Sequence, residues 1–237
     1  DIMLLKGQEA PPLCGGQATY PIYITIPPQE LKEFLQNLPS SFKDRGDDFV
    51  FCSGGLKYGN IEKVLKNTGY CRDAQTQFLV SGFKTKPILE DISIKLGMSE
   101  NGEDKYAGEC TACGKWSGSV EQRLENNAIR CKTFFYREWR RHMFERNVYD
   151  AVFNLVGAIR AEPTKILDVA LYYGDEVSDM VWQISGILRG MKALTLTYGV
   201  EERIFGIAEA TGEQPCVLDP GMFPYMFEEF MMAGMLN

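Results

Sequence analysis

The chain has 237 residues, 45% hydrophobic and 24% charged, which is enough for one large or two small globular domains. Its net charge of −7 argues against nucleic-acid binding, because phosphate neutralisation needs a basic field, and Arg137, Arg140 and Arg141 form only a short cluster. No run of about 18 apolar residues is present, so no transmembrane helix is expected, and seven scattered cysteines argue for reduced thiols over a disulfide framework.

Residues 7–18 read as a Gly-, Pro- and Gln-rich loop. Pro21-Ile22-Tyr23-Ile24-Thr25-Ile26 then reads as a buried strand, followed by an amphipathic helix with Leu31, Phe34, Leu35 and Leu38 on one face. Asp48 to Cys52 is a second strand, closed by Ser53-Gly54-Gly55. This is the pattern of the middle of a dinucleotide-binding α/β domain. The strand and Gly-rich turn that open such a domain are expected to lie before Asp1. Ligands of open α/β sheets sit at the carboxyl ends of strands, which makes Thr25, Ser53, Gly54 and Gly55 the candidate cleft residues.

Further strands are expected at Thr76–Val80 and Ile88–Ile94, a helix over Trp116–Asn127 and a short strand at Ile129–Lys132. From Phe134 onward helical periodicity takes over. Met143, Asn147, Ala151, Asn154 and Leu155 share one face. Val169, Tyr173, Val177, Met180, Val181 and Ile184 share another, with Asp175, Glu176 and Asp179 opposite; Val200, Ile204 and Ile207 begin a third helix. The expected fold is α/β followed by all-α. Residues 1–132 form a Rossmann-like domain lacking its first strand and phosphate loop, and residues 133–237 form a helical domain.

Cys110-Thr111-Ala112-Cys113 has the spacing of half a zinc site or a redox dithiol. No second pair completes a metal site, and the two thiols are read as core residues; no metal is expected. His142, the single histidine, is read as a solvent-facing helix residue. The carboxylate pairs Asp47/Asp48, Glu201/Glu202 and Glu228/Glu229 are read as solvated charges, since neighbours in a helix do not face one another.

The order of these elements is similar to that of the ketopantoate-reductase and 6-phosphogluconate-dehydrogenase group. The segments Pro21–Ile24, Asp48–Phe51, Gly114-Lys115-Trp116 and Phe153–Ala158 resemble a divergent branch of that group from algal plastids. The resemblance implies a dinucleotide domain, a helical domain and an active site between them. It also implies a Gln-Asn-Gly where Ser53-Gly54-Gly55 stands, and a Lys with Asn four and eight residues on where Arg146, Asp150 and Asn154 stand. Only Gly55 and Asn154 match, and an arginine does not readily exchange a proton near neutral pH.

These departures lead to the expectation of a non-catalytic scaffold on a degenerate reductase-like fold. Thr25, Ser53, Gly54, Gly55 and Asn154 would line a vestigial cleft with no cofactor. The expected location is the chloroplast, in the stroma or on the stromal face of the thylakoid, as an accessory or linker subunit of a photosynthetic membrane assembly. Met226, Phe227, Phe230 and Met231 in the Met/Phe-rich tail would meet the protein partner. The alternative is an NADP-dependent oxidoreductase whose cofactor-binding segment precedes this chain.

Overall fold

A computed structural model describes residues 19–26, 28–52, 61–79, 110–126 and 131–217. The expected strand at 88–94, the turn at 53–60 and the tail at 218–237 lie outside the described residues. β1 (Ile22–Ile24), β2 (Phe49–Cys52) and β3 (Thr76–Leu79) are mutually parallel. β4 (Cys110–Cys113) pairs antiparallel to β3, and β5 (Cys131–Thr133) pairs parallel to β4. The sheet order is β1-β2-β3-β4-β5.

Phe49, Val50 and Phe51 are all buried, as a strand covered on both faces requires. Their side chains alternate between two cores. Phe49 and Phe51 meet Leu31 and Leu35 of α1 (Pro28–Gln36) and Leu65 of α3 (Glu62–Asn67). The short α2 (Ser40–Lys43) adds Phe42 to that face. Val50 meets Cys110, Ala112, Cys131 and, from α4 (Ser117–Glu125), Val120 on the other face.

The helical part comprises α5 (Tyr136–Ala158), α6 (Ile166–Tyr172), α7 (Gly174–Lys192) and α8 (Val200–Ala210). Val148, Val152 and Phe153 of α5 share a core with Val177, Val181, Ile184 and Leu188 of α7 and with Ile204 of α8. Leu79 and Cys113 of the sheet join the same cluster through Trp139 and Met143, so α5 belongs to both parts. The continuous face expected from Val169 to Ile184 is two helices. The chain leaves helical geometry at Tyr173, at φ −128°, before Gly174 opens α7.

Strand polarity positions α5. Because β5 runs against β3, it ends beside the amino ends of β1–β3, and α5 starts three residues later. Trp139 Nε1 donates to the Thr111 carbonyl at 3.2 Å, pinning the first turns to β4. A 23-residue helix spans about 35 Å, whereas a four-residue strand spans roughly 13 Å. The second half of α5 therefore projects beyond the carboxyl ends of β1–β3.

Candidate active site

Among the described residues three buried polar clusters bear on the site, beside the Glu145–Arg203 pair at 2.7 Å and the buried Gln75 and Gln77, whose Oε1 atoms have no hydrogen-bond partner. The first lies at the amino end of β2. Asp48 accepts from Lys115 Nζ at 2.8 Å and Trp116 Nε1 at 3.2 Å through one oxygen, and from Arg45 at 3.2 and 3.3 Å through the other. This corrects the reading of Asp48 as a solvated charge: it is 2% exposed, while Asp47 beside it is exposed. Gly114 makes the turn possible, because at φ +93° an added Cβ would stand 2.7 Å from Thr76 Cα. Gly114-Lys115-Trp116 is thus a structural anchor.

The second cluster joins the two parts of the chain. Glu62 accepts from Tyr136 Oη and Arg140 Nε, each at 2.6 Å, and from Arg72 at 3.0 Å. Burial would raise the Glu62 carboxyl. The Arg140 and Tyr136 hydrogen bonds, with the Arg140 and Arg72 charges, outweigh it and hold it below its ordinary value. Tyr136 is pushed up by burial and by donating to Glu62.

The third centres on Arg146, near the middle of α5, where the half that projects beyond the carboxyl ends of β1–β3 begins. Arg146 Nε donates to Asp150 Oδ1 at 3.2 Å, and its guanidinium carbon lies 4.9 Å from the Tyr149 ring centre. Its Nη1 is buried without a hydrogen-bond partner among the described residues, as are Asn147 Oδ1 and Thr111 Oγ1. Thr111 faces Leu79, the last residue of β3, across the sheet register. Asn147 sits in the stripe of Met143 and Ala151, and a polar residue in a buried stripe was the signal for it. Thr111 gave no such signal, because its burial depends on α5 packing over β4.

Asn154 is committed elsewhere. Its Nδ2 donates to the Asp150 carbonyl at 2.7 Å and its Oδ1 accepts from Val217 N at 3.0 Å, so the amide ties the end of the described chain to α5. Thr25 is exposed just beyond β1. Ser53, Gly54 and Gly55 lie outside the described residues, as do Met226, Phe227, Phe230 and Met231.

Cys110 and Cys113 lie within a strand three residues apart, so they point to opposite faces. Cys113 joins the α5 core and Cys110 the α4 core. Burial pushes the Cys113 thiol up to about 12, the opposite of a reactive dithiol. Cys52, at the carboxyl end of β2, is raised to about 11 by burial and by Cys110. Among the described residues no group of His, Cys, Asp and Glu is arranged to hold a metal. His142 is half-buried, with its ring stacked on Phe134 at 4.6 Å between centres, which corrects the solvent-facing reading. No described helix is long and apolar enough to cross a membrane.

No protein-family model matches the chain, and no curated protein matches its sequence. The fold is similar to the crystal structure of 2-dehydropantoate 2-reductase from Methylococcus capsulatus, with a TM-score of 0.56 and 13% identity. The match covers 93% of this chain and 70% of that one. It establishes a Rossmann-like α/β part followed by helices, as the element order implied. It also corrects the expected scaffold. The architecture that this chain shares over almost its whole length is that of a reductase.

Proposed function

We propose that this chain forms the substrate-binding side of a nicotinamide-nucleotide-dependent oxidoreductase acting on a small 2-oxo acid, with NADP as the dinucleotide. The carrying observation is Arg146. Its side chain is 16% exposed, it is anchored by Asp150, and its Nη1 has no partner among the described residues. A buried guanidinium nitrogen without a hydrogen-bond partner suits a substrate carboxylate, which would satisfy it with a charge-assisted hydrogen bond.

Thr25, exposed at the end of β1, and Ser53-Gly54-Gly55 after β2 are the residues of this chain that would face the dinucleotide. When bound, the dinucleotide supplies the hydride. Arg146 would neutralise and orient the substrate, with the proton that completes the alcohol drawn from solvent. Asp150 holds the guanidinium in place. The quoted motif segments support a plastid location in an alga, which imaging of a fluorescent fusion in algal cells would test.

The test is NADPH oxidation by the full-length protein with a panel of 2-oxo acids and the matching 2-oxo amides. Turnover with acids, reduced by roughly 100-fold for amides, is expected from loss of a buried charged contact. Folded protein that neither binds NADPH nor oxidises it with any oxo acid would overturn the reading.

A further inference from the structure

We propose that the outward face of α7 is a self-complementary surface through which two copies of this chain associate antiparallel. Val177, Val181, Ile184 and Leu188 take the inner face of this helix into the core. The opposite face carries Trp182, 78% exposed, with Gly186 and Gly190 one and two turns further on. Trp182, Gln183, Gly186, Ile187, Gly190 and Met191 border a groove of about 510 Å³. A Cβ added at Gly186 or Gly190 would meet no atom within 4 Å. Nothing among the described residues therefore requires glycine there, although glycine weakens a helix interior. A large exposed ring beside two open notches on one helix is the complement of itself.

Charge selects the occupant and its direction. Along this stripe Asp175 and Asp179 precede Trp182, while Arg189 follows Gly186, and all three charged residues are exposed. Asp179 and Arg189 lie ten positions apart, about 15 Å along the axis. A second copy laid antiparallel brings its Arg189 towards Asp179 of the first and its Trp182 towards the Gly186–Gly190 notch. A parallel copy would set acid against acid. One helix face buries less than the 1,200–2,000 Å² of a standard interface, so the association is reversible. The inference is independent of the proposed activity.

The test is sedimentation of the full chain from about 0.5 to 100 μM, with the helical signal confirming that each variant is folded. Wild type should pass from monomer to dimer across this range, and W182A should remain monomeric. D179R and R189D should each raise the dissociation constant by roughly tenfold. The double variant D179R/R189D should return it to within about threefold of wild type, which only contact between the two positions in different copies produces. Monomeric wild type at 100 μM would overturn the proposal, as would a double variant no better than the singles. A short-wavelength Trp182 emission that does not change with concentration would show the face covered by the chain's own unplaced residues, and would overturn it too.

Discussion

Two buried charges of the molecule, Asp48 and Arg146, are matched to different degrees. At the amino end of β2, both oxygens of Asp48 are filled, by Lys115 and Trp116 on one and Arg45 on the other. Arg146 Nη1, by contrast, is buried with no hydrogen-bond partner among the described residues. A satisfied cluster fixes a fold, whereas an unsatisfied one is costly unless a ligand or water completes it. The contrast makes Arg146 a candidate binding group. If it holds, substitutions at Asp48 should cost stability and those at Arg146 should cost binding.

The largest effect is expected at Asp48. Asp48→Ala leaves the Trp116 indole without its acceptor and Arg45 with the Tyr20 carbonyl but no carboxylate, and should lower unfolding stability by about 3–5 kcal/mol. Urea denaturation checks this; a loss under about 1 kcal/mol would mean that the cluster is not what anchors β4 to β2. Gly114→Ala should follow, at about 2–3 kcal/mol, because the residue must hold φ +93° with its Cβ pressed on the backbone of Thr76. A near-neutral Gly114→Ala would show that the turn can move.

Glu62 sharpens the comparison, since it is a satisfied cluster placed between the two parts. Its folded-state carboxyl lies below the ordinary value, so its contribution is fully present above the unfolded-state value and is lost as pH falls through the folded one. Glu62→Gln should lose about 2 kcal/mol at pH 7. The gap to wild type should narrow as pH drops below the usual carboxylate range, where wild type loses the same charge. A gap that stays constant down to pH 3 would contradict the assigned ionisation. Denaturation midpoints across pH supply the measurement.

Much of the architecture was legible because burial leaves a local trace. The unbroken Phe49-Val50-Phe51 marks a strand covered on both faces, and Leu31, Leu35 and Leu38 mark the helix over it. What was not legible depends on partners distant in sequence. Asp48 looks like its exposed neighbour Asp47 until Lys115 and Trp116, 67 and 68 positions away, are folded against it. Cys110 and Cys113 carry redox spacing, and only the strand, by sending them to opposite faces, shows that they do not meet. Asn154 matched the family pattern, yet the backbone of Val217 takes its amide. The residue that departed from the pattern, Arg146, is the one left with an open nitrogen.

Arg146 therefore carries the smallest expected stability change and the strictest test. Removing a well-paired buried arginine costs several kcal/mol, because its partner is stranded. Here the guanidinium is only partly paired, through Nε to Asp150, while Nη1 is buried and unmatched. Arg146→Met keeps the aliphatic stem and relieves the unmatched nitrogen, but gives up the guanidinium's place over the Tyr149 ring. It takes the Arg146 contact away from Asp150, whose side chain is 13% exposed. The gain and the losses oppose one another, so unfolding stability should change by less than about 1 kcal/mol. Affinity for a 2-oxo acid, followed by calorimetry, should fall by at least about tenfold, because a charge-assisted contact is lost. A variant that loses about 3 kcal/mol and still binds the acid would reverse the comparison: Arg146 would then be a structural anchor like Asp48, and the acid would need another anion-binding group.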